Sequence, residues 1–375
     1  MSSTPIRVGF IGLGTATSTG PGAWGATAHL PALLSSPKYK IVALANSSVA
    51  SAEASIAYHK LPSSVKAYGT PEGIAADPDV DLIVCSVVVT KHYILIKPAL
   101  LAGKDVYVEW PLGASTAETE ELTTLAKEKG VKTVVGVQAR ADPLVMKLKE
   151  LVDGGRIGRV VSSTVVGAFA GFPATWTQDT TVYLSIDSGG NSLTIYYGHF
   201  LDTFINVLGT FDTLNSLLKT DRKTGILVDA AGDLVDPAYP ITSPDHIFVH
   251  GTLNSGVSAS INFRAISGKT VSGTGVRWTI TGTEGEIEVS SPEVGWQYGM
   301  PGQKILMRTG DKDEVEEVDF TDKEEKQYVS AVGLLSKNPA RIYEAFAEGE
   351  KNKYATFEDA MDVNKVLDGI KKGSL

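Results

Sequence analysis

Short apolar segments alternate with helical patterns over the first 140 residues of this chain of 375 residues. The apolar segments are brief, rich in β-branched residues and bounded by turn residues, which is typical of buried parallel strands. This alternation predicts an α/β fold with a doubly wound parallel sheet, the Rossmann arrangement. The predicted strands are Arg7–Gly12, Lys40–Ala45, Asp81–Val87, Asp105–Glu109 and Thr133–Gly136, and the predicted helices lie near Trp24–Leu34, Ser51–Lys60, Lys91–Ala102 and Ala117–Lys129.

The pattern changes after about Asp142, where alternating polar and apolar residues predict strands joined by turns. A chain of 375 residues exceeds the size at which one core usually keeps growing, so two domains are expected. We predict a dinucleotide-binding domain over 1–140 and a substrate and oligomerisation domain over 141–375. Within the second domain the predicted strands are Val160–Val166, His246–Leu253, Val257–Phe263, Arg277–Thr281 and Glu286–Ser290, and helical spacing returns over Pro339–Leu375.

Charge and hydropathy exclude several classes of partner. The chain carries 34 basic and 43 acidic residues without a basic run, which argues against direct binding of nucleic acid. No stretch approaches the ~20 apolar residues of a membrane span, and the N-terminus lacks an apolar signal core. The single cysteine, Cys85, cannot form an internal disulfide and is expected in a buried strand. We therefore expect a cytoplasmic protein with no membrane partner and no metal site.

A glycine-rich turn follows the first predicted strand. Gly12 and Gly14, with Leu13 and Thr15 beside them, offer the tight turn and close backbone approach that a pyrophosphate requires. The third glycine of the dinucleotide fingerprint would fall at Thr17 and is absent, and an insertion of Ser, Thr, Gly and Pro follows. Glycine also serves any sharp strand-to-helix turn, but the position after the first strand of an alternating pattern favours dinucleotide binding.

The end of the second strand bears on the choice of cofactor. Proteins selective for NAD usually place Asp or Glu there, whereas this chain has Asn46, Ser47 and Ser48. Because this segment contains no carboxylate that would repel a 2′-phosphate, we predict NADP rather than NAD. Asn46 and Ser47 would be hydrogen-bond donors to the cofactor. The alternative is that these residues cap the next helix, and both interpretations are compatible.

Six short motifs are spread over nearly the whole chain: Gly9–Gly14, His29–Ala32, Ala99–Lys104, Val108–Leu112, Gly155–Arg159 and His199–Asp202. Together they resemble the Gfo/Idh/MocA oxidoreductases, which are named after glucose-fructose oxidoreductase and inositol dehydrogenase. Four segments resemble most closely the subgroup of the fungal galactose-regulon repressor and its uncharacterised oxidoreductase-like relatives: Ala23–Ala32, Val108–Trp110, Tyr197–His199 and Pro244–His246.

The resemblance implies the architecture of the second half of the chain. In this family an N-terminal Rossmann domain precedes an α/β domain with a large open, mainly antiparallel sheet. The C-terminal helices would return to the first domain. The outer face of the sheet often forms oligomer contacts in relatives, which implies a homodimer or a larger homo-oligomer.

The same resemblance draws attention to Trp110. Relatives carry Glu-Lys-Pro where this chain has Glu109, Trp110 and Pro111, so an indole replaces the family's catalytic lysine. An indole cannot supply a proton at neutral pH, although its N–H can hydrogen-bond and its plane can stack on a nicotinamide. The alternative is that Trp110 only fills the space of the lysine. The resemblance also implies that Glu109 faces the cofactor and that the peptide bond before Pro111 is cis.

The other site residues are likewise carried over from the family. His199 matches the histidine beside the substrate hydroxyl, and Asp202 lies three residues on, on the same face of a predicted helix. Tyr197 could donate a phenol hydrogen bond in place of the lysine, or could simply pack. His92 and Gln138 match further positions that line the cofactor in the family, and Trp24 matches the repressor-like subgroup. Val87 is added from its place at the carboxyl end of a predicted strand, where ligands of parallel sheets bind.

Two departures from the family pattern bear on the substrate. Family enzymes tend to have aspartate at the position of Ile195 and glycine at that of Tyr197. Losing an acidic group and gaining an aromatic ring argues for a ligand flatter, or less polyhydroxylated, than a free sugar. The segments Gly171–Trp176 and Tyr183–Asp187 are expected to shape its pocket.

These observations predict an NAD(P)-dependent oxidoreductase acting on a carbonyl, an alcohol or an imine, with His199 as the acid or base. Hydride transfer depends above all on position, so the loss of one lysine does not forbid catalysis. The alternatives are a dinucleotide-binding transcriptional regulator that resembles the galactose-regulon repressor and a redox-neutral isomerase or lyase.

Overall fold

The computed structural model describes residues 4–15, 23–170, 173–266, 268–310 and 314–374. The chain forms two compact units. The first comprises 1–141 and 324–361, and the second comprises 142–323 and 362–375. The predicted insertion after the first strand, with Thr17, lies outside the described residues, as do Gly171 and Phe172 of one predicted pocket loop.

Strands and α-helices are numbered separately, each in chain order. The strands are β1 (Ile6–Ile11), β2 (Tyr39–Ala45), β3 (Lys66–Tyr68), β4 (Leu82–Cys85), β5 (Asp105–Glu109), β6 (Thr133–Gly136), β7 (Val160–Ala170), β8 (Thr175–Thr177), β9 (Phe211–Lys219), β10 (Thr224–Val228), β11 (Leu234–Pro240), β12 (His246–Leu253), β13 (Ser258–Ile266), β14 (Val276–Gly282), β15 (Gly285–Ser291), β16 (Lys304–Thr309) and β17 (Glu316–Glu317). The α-helices are α1 (Leu30–Ser35), α2 (Val49–Tyr58), α3 (Pro71–Ala75), α4 (His92–Leu101), α5 (Thr116–Lys129), α6 (Pro143–Asp153), α7 (Gly198–Leu208), α8 (Gln327–Ser330), α9 (Leu334–Glu348) and α10 (Phe357–Lys372).

The first unit is built on a six-stranded parallel sheet in the order β3-β2-β1-β4-β5-β6. This confirms the predicted doubly wound sheet, and all five predicted strands are present. Strand β3 and helix α3 were not predicted, because segments this short carry too little periodicity. The predicted helix near Trp24–Leu34 begins as a π-helix over Gly25–His29 and continues as α1.

Local sequence signals explain where several helices begin and end. The hydroxyl of Ser48 accepts the N–H of Ser51 at the start of α2, and the carboxylate of Asp142 accepts the N–H of Leu144 at the start of α6. Each satisfies a backbone donor that the first helical turn leaves open. Helix α5 ends at Gly130, whose φ of 65° suits a residue without a side chain.

The second unit contains an eight-stranded sheet in the order β17-β16-β15-β14-β7-β13-β12-β9. Only β7 and β13 pair in parallel; the other neighbours among the described strands are antiparallel. This confirms the predicted large, mainly antiparallel sheet. Helix α7 packs aromatic rings on one face, with Phe200 and Phe204 both about 5.5 Å or less from the ring of Trp278. A smaller sheet in the order β11-β10-β8 was not predicted, because β11 is largely exposed and lacks an apolar face.

Candidate functional site

The turn after β1 approaches the neighbouring strand end very closely. Gly12 has φ of 92°, and a Cβ there would lie 2.3 Å from Val87 Cγ1 and 2.6 Å from the carbonyl oxygen of Ser86. A side chain is therefore excluded at Gly12, which leaves bare backbone at the carboxyl edge of the parallel sheet. Such a cradle fits the pyrophosphate of a dinucleotide, whose approach to the backbone needs glycine.

Two side chains hold the carbonyl oxygens of this turn. Asn46 Nδ2 donates to the carbonyl oxygen of Leu13 at 3.0 Å and to Ser55 Oγ at 3.0 Å. His59 Nε2 donates to the carbonyl oxygen of Gly14 at 2.7 Å. The amide hydrogens of Asn46 are thus used in hydrogen bonds within the protein, whereas the neighbouring Ser47 is exposed. Ser48 caps α2, as the alternative interpretation of this segment expected.

The carboxylate of Glu109, at the end of β5, belongs to a buried polar network. Its Oε1 lies 2.7 Å from His29 Nε2, and Gln138 Nε2 donates to both of its oxygens at 2.9–3.0 Å. The other ring nitrogen of His29 lies 2.8 Å from Tyr343 Oη. His29 and Tyr343 have no exposed surface. The network therefore ties the end of β5 to the first helical segment and to α9.

The carboxylate of Glu109 fits against the end of β6 because the residue that faces it there is a glycine. A Cβ on Gly136, at the end of β6, would lie 2.3 Å from Glu109 Oε1. Sequence reasoning placed Glu109 and Gln138 against the cofactor, and that assignment stays a prediction. It did not find the roles of His29 and Tyr343, although His29 stood inside a recognised motif.

The segment that follows Glu109 is buried. Trp110 is 6 % exposed, and the Trp110–Pro111 peptide bond is cis, as predicted. His92, at the start of α4, places Nδ1 2.8 Å from the carbonyl oxygen of Pro111 and Nε2 3.1 Å from that of Val87. Burial lowers the pKa of His92, so the ring is neutral and has one N–H to donate. The neutral ring can therefore donate to only one of these two carbonyl oxygens at a time.

His199 and Asp202 lie one turn apart on α7 and are almost completely buried. A π-helix over Leu193–Tyr197 leads directly into α7, and such π-helical turns are frequent at functional sites. The hydroxyl of Thr203 donates to the carbonyl oxygen of His199 at 3.3 Å and accepts the indole N–H of Trp296 at 3.1 Å. The first turns of α7 are therefore fixed against the core of the second unit.

Tyr197 packs inside the second unit. Its ring is fully buried and meets Phe263 edge to face at 5.5 Å, and burial raises the pKa of its phenol well above the ordinary value. Its hydroxyl finds no hydrogen-bond partner among the residues that the structure describes. These features favour the packing role over proton transfer to a ligand.

Within each unit the structure brings several of the predicted residues together. In the first, Gly12 adjoins Val87, Asn46 holds Leu13, Glu109 binds Gln138 and His92 reaches Val87. Trp24 is partly buried just before the π-helix over Gly25–His29, and Thr15 is exposed. In the second, Tyr197, His199 and Asp202 follow one another along one helical segment. Trp176 and Tyr183, from the two predicted pocket loops, line one cavity.

Among the residues that the structure describes, no three His, Cys, Asp or Glu side chains are grouped so that they could hold a metal ion. No described helix combines the length and the apolar character that crossing a membrane requires.

Comparison with known proteins agrees with this architecture. A family model described as an oxidoreductase family with an NAD-binding Rossmann fold matches residues 6–137, and one for the C-terminal domain of Gal80p matches residues 143–291. The chain is 31 % identical over 379 aligned positions to the dehydrogenase AclE of Aspergillus oryzae, covering 98 % of this chain and 96 % of that protein.

Regulators are similar as well. The galactose/lactose metabolism regulatory protein GAL80 of Saccharomyces cerevisiae is 30 % identical over 274 positions, which cover 70 % of this chain and 61 % of that protein. A crystal structure of a super-repressor mutant of Gal80p from the same yeast superposes with a TM-score of 0.83 at 24 % identity, covering 99 % of this chain and 97 % of that one. The chain therefore belongs to the Gfo/Idh/MocA family of oxidoreductases and carries a C-terminal domain like that of Gal80p.

Proposed function

We propose that this protein is an NAD(P)-dependent oxidoreductase that transfers a hydride between a nicotinamide and a carbonyl, alcohol or imine substrate. The observation that carries the proposal is the turn at Gly12, where bare backbone meets the ends of two parallel strands. Gly12, Leu13, Gly14 and Thr15 would hold the dinucleotide through their backbone. The nicotinamide supplies or accepts the hydride when it is bound.

His199 is the group that we assign to the proton. Histidine as a residue type changes protonation near neutral pH and is the commonest general acid or base. Asp202, one turn further along α7 and 1 % exposed, is the residue that we expect to orient the imidazole. In the direction of reduction, His199 would donate a proton to the substrate oxygen or nitrogen.

Three other residues predicted to lie at the site, Trp110, Glu109 and Tyr197, are poor candidates for donating that proton. Trp110 has an indole N–H that can donate a hydrogen bond but does not ionise at neutral pH. The carboxylate of Glu109 is engaged by His29 and Gln138. Tyr197 is buried, and burial raises the pKa of its phenol, which makes it a weaker proton donor. We propose that Trp110 forms an apolar wall of the cofactor site.

The main alternative is a dinucleotide-binding regulator. The absence of the lysine at position 110 and the similarity to GAL80 favour it. The similarity to AclE over almost the full length of both proteins favours the enzyme. We also propose a homodimer or larger homo-oligomer, because one row of the large sheet exposes Leu217 on β9 and Val166 on β7. The location that we propose is the cytoplasm.

A turnover assay tests the proposal directly. The protein should oxidise NADPH or NADH in the presence of at least one member of a panel of carbonyl and imine compounds. Absorbance at the wavelength of the reduced nicotinamide gives the rate. If no compound is reduced while the dinucleotide binds and a transcription activator is captured tightly, the regulator is the correct function.

The choice of cofactor is a separate prediction. NADPH is expected to bind at least as tightly as NADH, because Asn46, Ser47 and Ser48 present no carboxylate to a 2′-phosphate and the Ser47 hydroxyl is exposed. Calorimetric titration of the full chain with each dinucleotide measures the two affinities. A clear preference for NADH would contradict it. Ser47→Asp should convert the protein to NADH preference by adding the missing charge.

A further inference from the structure

Beyond β1, two backbone carbonyls are held by side chains instead of by a neighbouring strand. The N–H of Gly12 still donates to a carbonyl oxygen of β2, at 3.1 Å. After it, Asn46 Nδ2 donates to the carbonyl oxygen of Leu13 at 3.0 Å. His59 Nε2 donates to the carbonyl oxygen of Gly14 at 2.7 Å. Asn46 and His59 therefore satisfy two carbonyls that the sheet does not pair, and they set the orientation of the turn.

His59 reaches this turn because of its place at the end of α2. Ser51, Ser55 and His59 are spaced four residues apart, so they follow one face of the helix. Ser55 is buried and its hydroxyl accepts from Asn46 Nδ2 at 3.0 Å, which shows that this face is turned toward the end of β1. The ring of His59 also meets that of Tyr58 edge to face at 5.0 Å. The imidazole is thus held from two sides.

Holding a carbonyl also fixes the N–H of the residue that follows it. A trans peptide unit is planar, and its C=O and N–H point in opposite directions. The carbonyls of Leu13 and Gly14 point toward the side of α2, so the N–H groups of Gly14 and Thr15 point away from it. In the described part of the chain, no backbone carbonyl accepts either N–H, and Thr15 is exposed. Two successive N–H groups aimed to one side form a concavity that binds anions.

We propose that His59 is a positioning residue of the dinucleotide site and that Asn46 shares this role. Their hydrogen bonds hold the turn so that the N–H groups of Gly14 and Thr15 meet the pyrophosphate. Donors that are oriented before the ligand arrives lower the entropic cost of binding. Asn46 then acts on the cofactor through the turn and not by direct contact with a 2′-phosphate. The inference rests on the dinucleotide binding in the proposed function.

ADP-ribose is the probe for His59, because it contains the pyrophosphate but neither the nicotinamide nor a 2′-phosphate. Calorimetric titration of the full chain measures its affinity. His59→Leu removes the donor and should weaken binding about tenfold. His59→Gln can still offer an N–H to the Gly14 carbonyl and should bind within about threefold of the wild type. His250→Gln, an exposed change on β12, should leave the affinity unchanged.

Asn46→Ala tests the second positioning residue with the two reduced dinucleotides. It should weaken the binding of NADH and NADPH by the same factor, about tenfold, because both ligands place a pyrophosphate on the turn. If Asn46 instead held the 2′-phosphate directly, the loss would be confined to NADPH. Calorimetry with each dinucleotide gives the two factors, and this comparison does not depend on the His59 variants.

Several outcomes would overturn the inference. These are no saturable binding of ADP-ribose to the wild type at millimolar concentration, wild-type affinity in folded His59→Leu, equal losses in His59→Leu and His59→Gln, or a loss in Asn46→Ala confined to NADPH. Circular dichroism and the unfolding midpoint show whether each variant is folded. The proposed function fails separately: the variants would bind as expected, but no carbonyl or imine compound would be reduced by either dinucleotide.

Discussion

His199→Gln is expected to lower turnover by about 10²–10⁴-fold, the range by which a positioned general acid or base accelerates a reaction. Glutamine keeps a hydrogen-bonding side chain of similar length but cannot exchange a proton with the substrate. The rate of NADPH oxidation at saturating substrate measures the effect. The wild-type rate should depend on pH with the titration of one group, and this dependence should disappear in the variant.

Two controls separate catalysis from folding. His250→Gln makes the same chemical change at an exposed site on β12 and should retain wild-type turnover. Dinucleotide affinity should remain unchanged in His199→Gln, because the cradle at Gly12 belongs to the other compact unit. Wild-type turnover in a folded His199→Gln protein would show that another group handles the proton.

His29→Ala is expected to produce the largest loss of stability, with the free energy of unfolding of the first unit lowered by about 3 kcal/mol or more. The substitution removes the contacts to Glu109 Oε1 at 2.7 Å and to Tyr343 Oη at 2.8 Å. A buried carboxylate then loses a partner, and the ring's edge contact with Tyr107 at 5.1 Å is lost as well. Urea unfolding followed by circular dichroism measures the change.

The conservative variant tests the cause of that loss. His29→Gln can still place an amide N–H near Glu109, so it should recover part of the lost stability. His250→Ala serves as the matched control, because this exposed histidine should be replaceable within about 0.5 kcal/mol. A loss below about 1 kcal/mol in His29→Ala would show that the network around Glu109 contributes little.

Both units could be predicted at the level of secondary structure where the periodicity was sustained. The boundaries of β5, β6 and β12 agree residue for residue with the predicted segments. No element was predicted over β3, α3, α6, β9 or the small β11-β10-β8 sheet. Of these, β3 and α3 are short and β11 is largely exposed, so they lack the regular burial that produces a recognisable pattern, whereas α6 and β9 are longer segments that the sequence analysis missed.

The candidate site also contains residues that the sequence could indicate and others that it could not. Gly12 could be singled out from sequence because a strand followed by Gly-x-Gly is a local signal, and the structure shows why no side chain fits there. The partners of Glu109 could not be found, since His29 is 80 residues away in sequence and Tyr343 is 314 residues from His29. Nothing in the local sequence of either residue indicates the other.

By itself, the sequence determined the alternation of strand and helix, the glycine turn after β1 and the spacing of His199 and Asp202. Each depends on neighbours within a few residues, where backbone geometry sets the pattern. Only the tertiary structure decided that Glu109 is held by His29 and Gln138 and that the Asn46 amide serves the β1 turn. Those contacts join distant parts of the chain, and only packing brings them together.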